Sequence, residues 1–459
     1  MVRVLIQFGQ ITLLTRLLVP EDFGLMAVAL AVIAFGGIFA EAGLGSALIH
    51  RPPADEATRS SVFWLSAIIG FAASTAMAAS APLIALVYSN SQVAGVVLMC
   101  SPLLLLGSVS RQFEVTAERA LRFRGVVIIE TVCALAGLFT AVIGAFLGLG
   151  VSALAAAALA SALLRVALTW RVLGHGWLPS FHLRLGETST YLSFGGALMI
   201  SNIANQLNQS VDIFLGARLL GLDALGRYSV PRQLVFALQS AINPVITRVS
   251  FPVIAQVEND RDRVRSVYRQ TLNMVASTGA PLYLGASWFA EEICTILFGA
   301  AWHESAGILR VLALWGAVRV LGNPVGALLL GVGRADKAMW WNLTLLLVCP
   351  GAIWIGSGYG AIGLAWSVLA LAVGLTLPSW YWLVYPHTGW RLADYLVVSL
   401  RPMVLAALAI APGWWASSVA DDAILKLVCG VAVAAPLYLT FSWWCNRAWV
   451  SALRELLVV

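Results

Sequence analysis

The chain has 459 residues, 60% of them hydrophobic and only 11% charged, with a mean hydropathy of +0.87. Soluble domains run near roughly 45–50% apolar and 25% charged, so an ordinary water-soluble fold is excluded. The net charge of +6 and a pI near 9.1 do not point to nucleic acid, because the basic residues sit in short segments between apolar runs of about 20 residues.

In chain order, apolar windows predict helices near 3–18, 24–43, 62–88, 92–110, 125–147, 151–172 and 191–216, then 227–250, 268–290, 307–331, 338–356, 360–385, 398–418 and 424–445. The expected fold class is an all-α polytopic membrane protein of about 14 transmembrane helices. The first helix is short for a bilayer and has almost no leader, which points to a natural N-terminus longer than this one. No cleavable signal peptide is expected, because the first apolar run leads into another apolar helix. The six cysteines lie mostly inside apolar stretches without metal-ligand spacing, so neither a disulfide framework nor a metal site is expected.

Alternate loops differ in charge. One set carries Arg51 and Arg59; Arg119, Arg122 and Arg124; Arg171 and Arg184; Arg261, Arg263 and Arg265; Arg334 and Lys337; Arg391 and Arg401. The other set is acidic or uncharged, with Glu21 and Asp22, Glu291 and Glu292, and Asp421 and Asp422. The positive-inside rule then predicts both termini in the cytoplasm of a multi-pass protein, with only the 217–227 loop departing.

An internal repeat is legible. Arg16-Leu17-Leu18 followed by Glu21, Phe23 and Gly24 matches Arg218-Leu219-Leu220 followed by Asp223, Leu225 and Gly226, a gapless offset of 202 residues. At that offset Arg3, Gln7 and Gln10 fall on Asn205, Gln209 and Asp212, and Glu41 falls on Asn243. A second echo pairs Gly148-Leu149-Gly150 with Gly358-Tyr359-Gly360. Six helices separate equivalent segments, so both halves insert the same way up, about an axis along the membrane normal. The predicted organisation is a six-helix lobe over 1–172, a cytoplasmic linker over 173–190, a second six-helix lobe over 191–385, and two additional helices with a short tail over 386–459.

Polar residues recur at helical spacing inside apolar helices. The seventh predicted helix carries Asn202, Asn205, Gln206, Gln209 and Asp212 on one face, the eighth carries Arg232, Gln239 and Asn243, and the first carries Arg3, Gln7 and Gln10. Amides alone can serve as glue between helices. A stripe that includes charge is costly against lipid and predicts a hydrated cavity. The simplest geometry surrounds that cavity with the first, second, seventh and eighth helices. It contains Arg3, Arg232, Glu41 and Asp212, with Arg16 and Arg218 near the periplasmic rim. Arginine suits a phosphate there, because its planar fork donates bidentate hydrogen bonds and keeps its charge. Loss of export is expected from Arg232→Ala and from Asp212→Ala.

Such a cavity answers a physical need. Moving one unpaired hydroxyl from water into hydrocarbon costs roughly 4–8 kcal/mol, so several sugars and a diphosphate face a barrier of tens of kcal/mol. Enzyme signatures are not found: there is no phosphate loop, no H-E-x-x-H, and the five histidines are scattered over loops. No enzyme, cofactor or nucleic-acid partner is expected. Membrane lipids are expected partners.

The segments TRLLVPEDFGLMAVAL (15–30), FAEAGLGSALIHRP (39–52), ALRFRG (120–125), ARLLGLDALGRYSV (217–230) and GVGRADKAMW (331–340) resemble the polysaccharide-transporter branch of the multidrug/oligosaccharidyl-lipid/polysaccharide flippase superfamily, which includes O-antigen (Wzx-type) and colanic acid exporters. The likeness runs over essentially the whole chain. It implies twelve core helices in two lobes plus two C-terminal ones, and translocation of undecaprenyl-diphosphate-linked repeat units across a bacterial inner membrane, with a polymerase and a chain-length regulator as candidate partners. By position in that family, Arg16, Glu41, Arg51 and Arg232 are the cavity counterparts, and Glu41 or Asp212 the ion-responsive carboxylate. The rival on the same fold is a cation-coupled small-molecule antiporter, which should prefer an acid-dominated cavity; a membrane polymerase is the more distant alternative.

Overall fold

The computed structural model describes residues 2–41, 43–45, 48, 55–174 and 177–451. Among them the chain is helical: α1 (Val2–Thr15), α2 (Pro20–Glu41), α3 (Glu56–Tyr88), α4 (Ser91–Cys100), α5 (Pro102–Arg119), α6 (Phe123–Phe146), α7 (Val151–Leu168), α8 (Leu185–Leu220) and α9 (Leu222–Gln256). There follow α10 (Arg261–Trp288), α11 (Ala290–Leu297), α12 (Glu304–Gly331), α13 (Ala335–Ser357), α14 (Gly360–Ser379), α15 (Tyr385–Thr388), α16 (Leu392–Ser417) and α17 (Ala423–Cys445). Side-chain oxygens start several of them. Asp55 accepts from the Thr58 N–H at 2.7 Å and Asn90 from the Gln92 N–H at 2.8 Å, while Asp260 and Asp422 each accept from two first-turn amides.

Among the described residues the apolar segments read from the sequence fall mainly on helices, the first ending at Thr15 rather than 18 and the second at Glu41 rather than 43, and most of the other helices run further than read. The fourth predicted segment breaks at Ser101 and restarts with Pro102 at the first helical position, where its missing N–H costs nothing. It then continues to Arg119 rather than ending at 110, so residues predicted as loop are helical.

Ten helical segments among the described residues are long and apolar enough to cross a membrane: α2, α3, α4–α5, α6, α7, α12, α13, α14–α15, α16 and α17. Helices α8 and α9 have 36 and 35 residues, about 50 Å at 1.5 Å per residue, yet do not meet the apolar criterion. These are the helices with the predicted polar stripes.

The chain forms two compact units, Met1–Gly226 and Arg227–Val459. In the first, α6 packs on α7, α3 on α5, and α2 on both α3 and α8. In the second, α10 packs on α12 and α16, and α16 on α17. A buried polar net ties these last helices to α10: Asn446 Nδ2 donates to Ser277 Oγ at 2.7 Å, Tyr438 Oη donates to the Ser277 carbonyl at 2.6 Å, and Arg401 donates to Asn446 Oδ1 at 2.9 Å. The basic segments gather at one end of each unit. In the first, Arg59 lies 3.9 Å over the Trp177 ring; in the second, Arg261 donates to the Tyr385 and Pro386 carbonyls and Lys337 to that of Trp382.

The 202-residue offset has a structural counterpart. It maps Pro20 on Leu222 and Gly24 on Gly226. A methyl on Gly24 would run into the Leu222 carbonyl, and one on Gly226 into the Pro20 carbonyl. The same close backbone approach is thus made twice by exchanged partners, as a local two-fold relation requires. The helices that follow the fainter echo end alike: α7 continues into a π-turn at Thr169–Leu173 and α14 into one at Trp380–Val384.

Candidate functional site

A cavity of about 350 Å³ opens in the first unit between α2, α5 and α7, walled by Ile33, Leu44 and Leu104 on its apolar side and by Glu41, Arg111, Glu114 and Arg165 on the other. Arg111 sits at its centre. Its Nε donates to Glu41 Oε1 at 3.3 Å, and its Nη1 lies 3.7 Å from Glu114 Oε2 and 3.5 Å from Glu118 Oε1. Glu114 spends its other oxygen on Arg165, at 3.2 Å. The spacing of residues 111, 114 and 118 puts all three on one face of α5.

This network ties three helices together. Glu41 is the last residue of α2 and Arg165 lies on α7, so Glu114 and Arg111 link α5 to both. Glu114 has a side chain only 13% exposed, and a charge so placed must be paired to be tolerated. Two guanidinium groups face three carboxylates, one formal negative charge in excess. Gly45 makes room: a Cβ there would lie 2.6 Å from Glu41 Oε1 and 3.4 Å from Arg111 Nε. Behind the site, Gln112 Nε2 donates to the Arg59 carbonyl at 3.0 Å, tying α5 to the start of α3.

The second unit handles charge among its helices differently. Arg232 on α9 lies 4.6 Å over the Phe236 ring, and Arg319 on α12 lies 5.1 Å over the same ring and 4.9 Å over Trp315. Phe236 and Trp315 meet edge to face at 5.7 Å. One turn on, Gln239 is buried and donates to Asn323 Oδ1 at 3.1 Å. A guanidinium stacked on a ring uses its face for the ring, while its N–H groups radiate in its own plane.

Of the residues singled out from the sequence, Glu41 lines the first cavity and Arg232 and Gln239 belong to the second cluster. Asp212 is 5% exposed, its Oδ1 accepting from the Ile213 N–H at 3.0 Å, and it is not among the described residues of the first cavity's lining. Along α8 the stripe grades from exposed Asn202 and Asn205 through half-buried Gln209 to that buried carboxylate. Gln206 donates to Ser210 Oγ at 3.0 Å. Gln7 and Gln10 are half-buried on α1, and Arg16 and Arg218 are exposed at the ends of α1 and α8. Arg51 and the side chains of Arg3 and Asn243 lie outside the described residues. Sequence reading passed over Arg111, Glu114, Glu118, Arg165, Arg319 and Asn323. The signal for the first three was their spacing of three and four residues; for Arg165 and Arg319 it was a lone arginine inside an apolar run.

Residues 13–307 match the family described as polysaccharide biosynthesis protein. The teichuronic acid biosynthesis protein TuaB of Bacillus subtilis (strain 168) is 28% identical over 443 residues, 95% of this chain and 91% of its own. The succinoglycan biosynthesis transport protein ExoT of Rhizobium meliloti (strain 1021) is 28% identical over 440 residues, 94% of this chain and 88% of its own. Among solved structures, the lipid II flippase MurJ in its inward closed conformation shares the fold, with a TM-score of 0.78 over 98% of both chains at 14% identity.

Proposed function

Because the chain belongs to the polysaccharide biosynthesis protein family, we propose that it is a flippase that carries an undecaprenyl-diphosphate-linked oligosaccharide from the cytoplasmic to the periplasmic face of a bacterial inner membrane by alternating access. The observation that carries this reading is the arginine pair of the second unit, Arg232 and Arg319, both held over the Phe236 ring among its helices. Guanidinium groups held inside a membrane protein match a diphosphate in charge and in fork geometry.

In this reading the protein crosses the membrane fourteen times with both termini in the cytoplasm. The repeat halves are residues 1–172 and 191–385, joined by the linker 173–190 and followed by the two helices of 386–459. Substrate phosphate competes with Glu41 for Arg111, the released carboxylate taking up a cation or proton. The amides and carboxylate of Asn202, Asn205, Gln209 and Asp212, with Gln7, Gln10 and Asn243, meet sugar hydroxyls. Arg3, Arg16, Arg51 and Arg218 supply further positive charge along the path. A polymerase and a chain-length regulator receive the delivered unit. A small-molecule antiporter on the same fold is the weaker reading, since the relatives' names concern polysaccharides.

The test is sidedness. Deletion of the gene should leave the lipid-linked oligosaccharide on the cytoplasmic face, labelled by a membrane-impermeant sugar-modifying probe in inverted vesicles and not in spheroplasts. Normal periplasmic delivery in a strain without a redundant carrier would discard the flippase.

A further inference from the structure

A second cavity, of about 420 Å³, lies in the second unit where α13 begins and α14 ends, lined among others by Lys337, Trp340, Trp341, Tyr381, Trp382 and Tyr385. Both helices are membrane-crossing segments whose ends fall here, so the cavity sits at the level where a bilayer changes from hydrocarbon to headgroup. Tryptophan and tyrosine concentrate at that level. The π-turn Trp380–Val384 and the short helix after it make the wall. Pro386 lacks the N–H that an α-helix would direct at the Trp382 carbonyl, and the Lys337 ammonium donates to that oxygen instead, at 3.4 Å. Arg261 caps the Tyr385 and Pro386 carbonyls at 3.0 and 3.1 Å. The neighbouring carboxylate, Asp336, is committed to Arg334 through two contacts of 2.9 Å.

The internal repeat shows what is distinctive. In the matching π-turn of the first unit, Thr169–Leu173, the ring of Trp170 is half-buried against Phe63 and Phe113. In the second unit the corresponding rings stay open, with Trp340 64%, Tyr381 60% and Trp382 56% exposed. An occupant must offer an anion to Lys337 and apolar chains to these rings at once. Among its described residues the lining carries one ammonium and no carboxylate, a charge balance that suits an anion.

We propose that this cavity binds an anionic phospholipid, its phosphate on the Lys337 ammonium and its acyl chains against Trp340, Tyr381 and Trp382. The site is independent of the transported substrate. The test is native mass spectrometry of the full chain in detergent, titrated with dioleoyl phosphatidylglycerol or dioleoyl phosphatidylcholine. Phosphatidylglycerol should be retained about fivefold more tightly, the ~1 kcal/mol typical of one basic residue at an anionic membrane surface. Lys337→Gln should abolish that preference, Lys337→Arg should keep it, and Trp340→Ala should weaken retention of both lipids. Equal retention of the two lipids by the unmodified chain, or a preference that survives Lys337→Gln, would overturn the proposal. Displacement of the lipid by equimolar glycerol phosphate would overturn it in favour of a soluble phosphate ester.

Discussion

In the first unit Arg111 and Arg165 are held by Glu41, Glu114 and Glu118, whereas in the second Arg232 and Arg319 lie over the rings of Phe236 and Trp315. The two arrangements make different use of the same side chain. An ion-paired guanidinium satisfies its own charge and stiffens the helices it links, and it meets a phosphate only by exchanging partners. A guanidinium over a ring gains about 0.5–2 kcal/mol and presents its N–H groups in its own plane. The first unit therefore holds its arginines in ion pairs between helices, and the second holds them over aromatic rings.

The largest expected effect tests that division directly. Glu114→Gln removes the carboxylate that Arg165 shares with Arg111 and should cost about 2–3 kcal/mol, the upper range for a charge-assisted hydrogen bond, read as a lowered unfolding midpoint in detergent. Arg232→Gln should cost no more than about 1–2 kcal/mol by the same measurement, the scale of a cation–π contact. Equal losses would erase the difference between the units.

Next in size is a control that should not separate the repeat halves. Gly24→Ala and Gly226→Ala each drive a methyl into a backbone carbonyl that cannot swing aside, and each should cost about 1–3 kcal/mol. A large inequality between them would show that the two-fold relation is not energetic.

Gly45→Ala sharpens the account of Arg111. The added Cβ should push the Glu41 carboxylate away for about 1 kcal/mol, the scale of a charge-assisted hydrogen bond. In a Glu41→Ala background the same change should be nearly silent, because the side chain it displaces is already gone. A persistent loss there would point to general overpacking.

The smallest effect belongs to Gln239. Gln239→Leu removes its bond to Asn323 and should shift stability by about 0.6 kcal/mol, the average for an interhelical hydrogen bond in a membrane protein. Arg232→Lys, which keeps the charge but loses the planar fork, should reduce export about tenfold at unchanged protein abundance.

The amino-acid sequence alone determined the helices, because apolar runs of membrane-crossing length have no other stable backbone solution in lipid. It also determined the polar stripes of α8 and α9, since a period of 3.6 residues is a local property, and the 202-residue repeat. What it left open was which charges meet. Hydropathy ended the fourth segment at 110, because Arg111, Glu114 and Glu118 look like the start of a loop when read in isolation. They are helical because their partners are elsewhere: Glu41 is 70 residues from Arg111, and Arg165 is 51 from Glu114. Arg319 likewise meets Phe236 from a different helix. Whether a charged residue inside an apolar run is tolerated depends on a neighbour distant in the chain, and only packing of one helix against another supplies it.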